Sequence, residues 1–468
     1  MAFTRCLLFL ALVCLTSVAC FGQLLSPQEI AQVDTIVTHS LASDGVPSAS
    51  VAIVRDNQIV FAKAYGKQSE TLAGPRADAP YQIASISKQF TAAAILLLQD
   101  EGKLSLDDRV SKYVPDITDG DKISIRQLLS HTSGLQDYWP QDYSFKAMET
   151  PITPEGIVER WAKKPLDFAP GTQWQYSNTG YVVAGLIVEK VSGQPLLDFL
   201  NARIFRPLDI TALDQDLAIG DGFPQGYGRA ALGPVRIATP PAHGWLFAAG
   251  ELSMSARDLA KWDIARLNRT LLKARDWDAQ EFPVRLADGS ITGYGLGVAT
   301  WSVDGHRVIE HSGEAVGFLS ENIVYPDDRS AVIVLTNTWS SSAYRVMAQA
   351  IAKVILPLPP VDAADLAATT RARALFDQLG LGTPDRTQLT ENAGYYFTPV
   401  TLKDYHDSLA PLGAPASFTL VGKARLRGGF VNRDYRATFA GQSLDISTYT
   451  EPGDQGRFEQ FLISPAQP

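Results

Sequence analysis

Cysteine is nearly absent from this 468-residue chain, and its placement limits what it can do. Cys6, Cys14 and Cys20 all fall in the opening segment, so no disulfide framework and no cysteine-rich metal site is expected in the body of the protein. Histidine is scarce as well. His39, His243, His306 and His406 are scattered, and no His-Glu-x-x-His occurs, which argues against a zinc centre. There is no Gly-x-Ser-x-Gly, so the strand–turn–helix elbow of α/β-hydrolases is not expected. No apolar run after the opening segment is long enough to span a bilayer. Net positive charge is missing too: the formal charge is −9, which speaks against a nucleic-acid partner.

What is present is a globular composition, 46% hydrophobic and 19% charged, at a length that suggests two to three domains. Residues 1–22 read as an export signal. Arg5 precedes an apolar run from Leu7 to Leu15, and small residues from Ser17 to Gly22 mark a cleavage zone. Cleavage after Gly22 is expected, giving a periplasmic or secreted protein without cysteine. A lipoprotein anchored through Cys20 and an uncleaved anchor are the alternatives.

The periodicities predict an α+β fold. Ser26-Pro27-Gln28-Glu29 is a capping box with proline at the first helical position, opening a helix to about Ser43. Residues 50–54 and 59–65 alternate like strands around an Asp56-Asn57 turn. Strand patterns return at 294–301, 307–311, 318–325 and 331–337, before a closing helix over 344–355. An antiparallel sheet is therefore drawn from both ends of a domain spanning 23–356, flanked by helices, with a helical region inserted between. Pro357-Leu-Pro-Pro360 opens a stiff linker, 357–362. Residues 363–468 read as a small C-terminal α+β module, a helix followed by four short strands, with no catalytic constellation.

Three patterns carry chemistry. Ser85-Ile-Ser-Lys88 heads an apolar helix pattern ending near Gly102, which places the Ser85 hydroxyl and the Lys88 amine on one face. A serine becomes nucleophilic when a neighbouring base takes its proton, and a buried lysine can be neutral enough to do so. Tyr176-Ser-Asn178 follows a Pro-Gly turn and suits proton relay and substrate positioning. His311-Ser-Gly313 closes one strand before another, and its glycine would let a substrate backbone lie close.

In this order, with Leu128–Leu135, Ile204–Leu208, Ala249–Ser253 and Tyr294–Gly297 around them, these motifs make the chain resemble the serine β-lactamase and D,D-peptidase superfamily. The likeness is nearest to its class C-related esterase-like branch and covers roughly 26–356. The resemblance implies an acyl-enzyme on Ser85, with Lys88 and Tyr176 sharing the base role. It implies that Asn178 positions Lys88 and the substrate, and that His311 lines the cleft. The backbone N–H groups of Ser85 and Glu314 would form an oxyanion hole. It implies small ester, amide or peptide substrates and no metal or organic cofactor; oligomeric state is left open. The same fold could instead serve a catalytically silent, penicillin-recognising sensor. His311 stands where β-lactamases usually carry lysine, which favours neutral esters and amides over carboxylate-bearing β-lactams. Lowering the pH from 8 toward 6 is expected to charge His311 and restore some attraction for carboxylates. His131, in the Leu128–Leu135 stretch, is expected to fix a loop rather than do chemistry.

Overall fold

In the computed structural model, which describes residues 24–140, 143–339, 341–356 and 362–466, the chain divides into two compact units between 358 and 359. The expected export signal and residues 357–361 of the expected linker lie outside the described residues. Among the described residues, no helix is long and apolar enough to cross a membrane.

The capping box does what its residues predict. Ser26 accepts from the Glu29 amide, Glu29 reaches back to the Ser26 amide, and the helix Pro27–Asp44 ends on a left-handed Gly45. Ser48–Arg55 and Gln58–Gly66 then form a hairpin whose turn residues, Asp56 and Asn57, both have positive φ. Four later strands complete an antiparallel sheet in the order Gln58–Gly66, Ser48–Arg55, Ser330–Thr336, Phe318–Tyr325, His306–Ala315, Ala299–Val303.

Strand alternation divides the apolar residues between two cores. Val51, Ile53, Val332 and Val334 pack with Val33 and Val37 of the first helix and Met347 and Ile351 of the closing helix, Ala343–Ile355. Ala52, Val54, Ile333 and Leu335 face the other way, onto the inserted helical region. The centre of that region is the helix Lys88–Asp100, buried on every side from Lys88 to Leu98. Its burial explains why it reads as a nearly unbroken apolar run.

Two sequence expectations change. Residues 294–301 do not form one strand; only Ala299–Val303 does. Gly293 and Gly297 adopt left-handed φ values of 75° and 80°, and Gly297 lies so close to the Lys88 carbonyl that a Cβ would sit 2.8 Å from it. Backbone-to-backbone packing on the helix Lys88–Asp100 overrides the strand pattern. Ser85 is not in the α-helix either. It belongs to a 3-10 turn, Ala84–Ser87, that feeds the helix beginning at Lys88.

The second unit opens with the helix Ala363–Gly380, whose Ala372, Leu375, Phe376 and Leu379 pack with Tyr435, Ile446 and Phe461. Its sheet is a four-stranded meander: Ser417–Arg427, Phe430–Thr438, Ser443–Thr450 and Phe458–Pro465. Two further helices, Glu391–Tyr396 and Pro399–Leu409, were not read from the sequence. The signals were local: Thr390 and Thr398 are N-caps, and Pro399 occupies the first helical position.

Candidate active site

In a 3-10 turn, residues i and i+3 eclipse, so Ser85 and Lys88 are brought face to face more tightly than in an α-helix. Lys88 Nζ lies 2.9 Å from Ser85 Oγ. The turn is entered through Ala84, a buried alanine with φ of 49°, a left-handed conformation that costs energy for any residue bearing a Cβ. Backbone strain of this kind clusters at functional sites.

Lys88 is fully buried. Besides Ser85, its amine meets two acceptors, the Ala249 carbonyl at 2.7 Å and Asn178 Oδ1 at 2.8 Å. Burial pulls its pKa from 10.5 down to about 7, against the field of Asp137, which favours the charged form. A neutral amine has two hydrogens and one lone pair. With the hydrogens donated to Ala249 and Asn178, the lone pair is left for the Ser85 proton. Asn178 keeps its oxygen toward Lys88 because its Nδ2 donates to Asp137 Oδ2 at 3.2 Å, while its backbone amide donates to Asp137 Oδ1 at 3.1 Å. Ser177, not Asn178, caps the helix Asn178–Ser192.

Tyr176 stands beside this pair. Its ring centroid is 4.9 Å from Lys88 Nζ. Burial holds its phenol protonated far above the ordinary tyrosine range, a hydrogen bond to Ser85 pulls the other way, and the Asp137 and Glu314 carboxylates reinforce the rise. His131 supports Tyr176 from behind: the ring centroids are 4.2 Å apart, and Nδ1 accepts from the Ser177 amide at 3.1 Å. The Ser177 bond makes Nδ1 an acceptor, so the proton of neutral His131 sits on Nε2. His131 thus orients the Tyr-Ser-Asn segment.

His311 requires a correction. Its Nδ1 lies 2.6 Å from the Ser312 carbonyl, so Nδ1 carries the proton, and Nε2 accepts from the Tyr294 hydroxyl at 2.8 Å. Neither nitrogen is free to donate to a substrate carboxylate. Burial, helped by Lys88, pulls its pKa down to about 3, so it stays neutral from pH 8 to 6 and the expected charging in that range does not occur.

Gly313 requires another. A Cβ at this position would meet the Ile83 carbonyl at 2.1 Å and Ser320 Oγ at 2.3 Å, so the glycine lets the strand pack on the backbone leading into the Ala84–Ser87 turn, not on substrate. Gly313→Ala is expected to cost about 3 kcal/mol, the upper end for overpacking, and to displace Ser85. Urea unfolding and ester turnover check this; an unchanged midpoint with unchanged rates would refute it.

A cleft of about 320 Å³ joins these groups. Ser85, Tyr176, Asn178, His311 and Glu314 line it, together with Asp137. Asp137 and Tyr294 were missed as site residues. Asp137 follows the Leu128–Leu135 motif with nothing local to distinguish it from a surface aspartate. Tyr294 stands out in the sequence only as the first residue of the Tyr294–Gly297 stretch.

The comparisons with known proteins agree with this geometry. A family model described as Beta-lactamase matches residues 33–356. Penicillin-binding protein 4* of Bacillus subtilis (strain 168) is 27% identical over 70% of this chain and 76% of its own length. Protein flp of Staphylococcus aureus (strain NCTC 8325 / PS 47) is 28% identical over 65% of this chain; the match spans 62% of the length of that relative. Among solved structures, a D-stereospecific amidohydrolase from Streptomyces sp. superposes with a TM-score of 0.59 at 29% identity, covering 69% of this chain and 98% of its own. With more than half of its length matched by the family model and a serine–lysine pair at the head of the buried helix, the chain belongs to the Beta-lactamase family of serine hydrolases.

Proposed function

We propose that the protein hydrolyses ester or amide bonds of small substrates through an acyl-enzyme on Ser85. The observation that carries this reading is the buried Lys88 amine, 2.9 Å from Ser85 Oγ, with two carbonyl oxygens in place to take its hydrogens. Lys88 accepts the Ser85 proton as Oγ attacks the carbonyl. Tyr176, a half-buried phenol held in its protonated form, relays a proton to the leaving group. The Ser85 and Glu314 amides receive the oxyanion, and water releases the acid. The relatives named for penicillin binding and for D-stereospecific amide hydrolysis support acyl transfer but leave the acyl group open. Neutral esters and amides are favoured over β-lactams, because His311 offers a carboxylate neither charge nor a donor. The apolar run at Leu7–Leu15 supports action outside the cytoplasm.

Intact mass after incubation with a fluorophosphonate, a penicillin or p-nitrophenyl butyrate tests the reading. Fluorophosphonate adduct with catalytic release of nitrophenol is the expected result. A stable penicilloyl adduct without ester turnover would indicate the sensor reading, and no adduct at all would overturn both.

A further inference from the structure

The charges on the cleft wall are of one sign. Among the described residues lining it, the carboxylates are Asp137 and Glu314, no arginine is present, and His311 is held neutral. Lys88 lies beneath the wall, fully buried. Asp137 is committed on both oxygens, to the Trp139 and Asn178 amides and to Asn178 Nδ2. Glu314 differs. It is exposed, Oε1 accepts from Trp339 Nε1 at 2.7 Å, and Oε2 has no hydrogen-bond partner among the described residues. Trp339 thereby fixes the carboxylate over the same cleft as Ser85 Oγ, with one oxygen left open. Both carboxylates are close enough to Tyr176 to act on its phenol.

We infer that the Glu314 side chain is a specificity determinant that receives an ammonium group on the acyl donor, so the preferred substrates are amino-acid amides and short peptides with a free N-terminus. A cleft of about 320 Å³ has room for about one residue and its leaving group. An α-ammonium lies two bonds from the scissile carbonyl, so a substrate held at Ser85 presents it to this wall. Asp137 adds field of the same sign, and an anionic group in the same place is repelled. The covalent step is unchanged. Ser85 Oγ bonds to the carbonyl carbon, the C–N bond breaks, the leaving amine takes the proton passed through Lys88 and Tyr176, and water frees the amino acid.

This inference rests on the acyl-Ser85 reading, and the test separates the two. The kcat/KM of the full chain is measured for alanine p-nitroanilide, N-acetyl-alanine p-nitroanilide and N-succinyl-alanine p-nitroanilide, each as both enantiomers. The free amine is expected to be preferred over the acetylated substrate by about five- to tenfold, the scale of a partly exposed ion pair, with the succinylated one slowest. Glu314→Gln should collapse the amine-to-acetyl ratio, and raising salt from 50 to 500 mM should shrink it in the wild type, because exposed charges are screened. Equal or better turnover of the acetylated substrate, or a ratio unmoved by Glu314→Gln, overturns the inference while leaving acyl-Ser85 standing. Absence of Ser85-dependent turnover for all three, without a fluorophosphonate adduct, removes both.

Discussion

Ser85→Ala is expected to abolish covalent labelling and to lower ester hydrolysis by about 10⁴-fold or more, the scale seen when a nucleophile is removed from an otherwise complete site. The change deletes one oxygen. It leaves the Ala84–Ser87 turn, whose buried members are Ala84, Ile86 and Ser87, with its packing unchanged. Lys88 retains Ala249 and Asn178 as partners, so the amine is not orphaned. The variant should therefore unfold at the wild-type urea midpoint within about 0.5 kcal/mol, as substitutions away from core packing usually do. Labelling of the variant at another serine, mapped by peptide mass, would overturn the assignment.

Lys88→Met should slow acylation by about 10²-fold or more, the usual contribution of a general base. Methionine fills most of the buried stem without an amine, so activity and stability report separately on the same group. With a pKa of about 7, wild-type kcat/KM should rise with pH and level off above 7 as the amine becomes neutral; the variant should lack that limb. The linkage to folding has a definite sign. Between about 7 and the ordinary lysine value of 10.5, the unfolded chain holds a proton on Lys88 that the folded protein does not. Wild-type stability relative to Lys88→Met should therefore rise with pH across that window, by roughly 1.4 kcal/mol per unit. The handicap of burying the amine is complete below pH 7 and gone above 10.5. Urea midpoints of both proteins at pH 7 and pH 10 check this. A pH-independent difference would mean that Lys88 keeps its charge when buried, and the lone-pair argument would fail with it.

Much of the architecture was legible because its signals are local. The capping box at Ser26–Glu29, the Asp56-Asn57 turn and the alternating strands at both ends of the first unit each act over a few residues. So does Ser-x-x-Lys: spacing three puts the two side chains together in an α-helix or a 3-10 turn, and the misassigned helix type did not matter to the pairing. The expected strand over 294–301 failed because its glycines serve a neighbour that the pattern does not contain, the Lys88 backbone.

The sequence by itself determined which groups are available: a serine and a lysine in register, a tyrosine and an amide two residues apart, and a histidine in place of a lysine. Tertiary structure decided their states. Lys88 is pulled toward its neutral form by burial, and its amine is oriented by acceptors 90 and 161 residues away. Asn178 faces it because Asp137, 41 residues back, holds the other end of the amide. His311 is kept neutral and occupied on both nitrogens by burial, by Tyr294 and by the adjoining carbonyl. Protonation and hydrogen-bond direction depend on desolvation and on partners brought together by folding, and neither is encoded in the spacing of a motif.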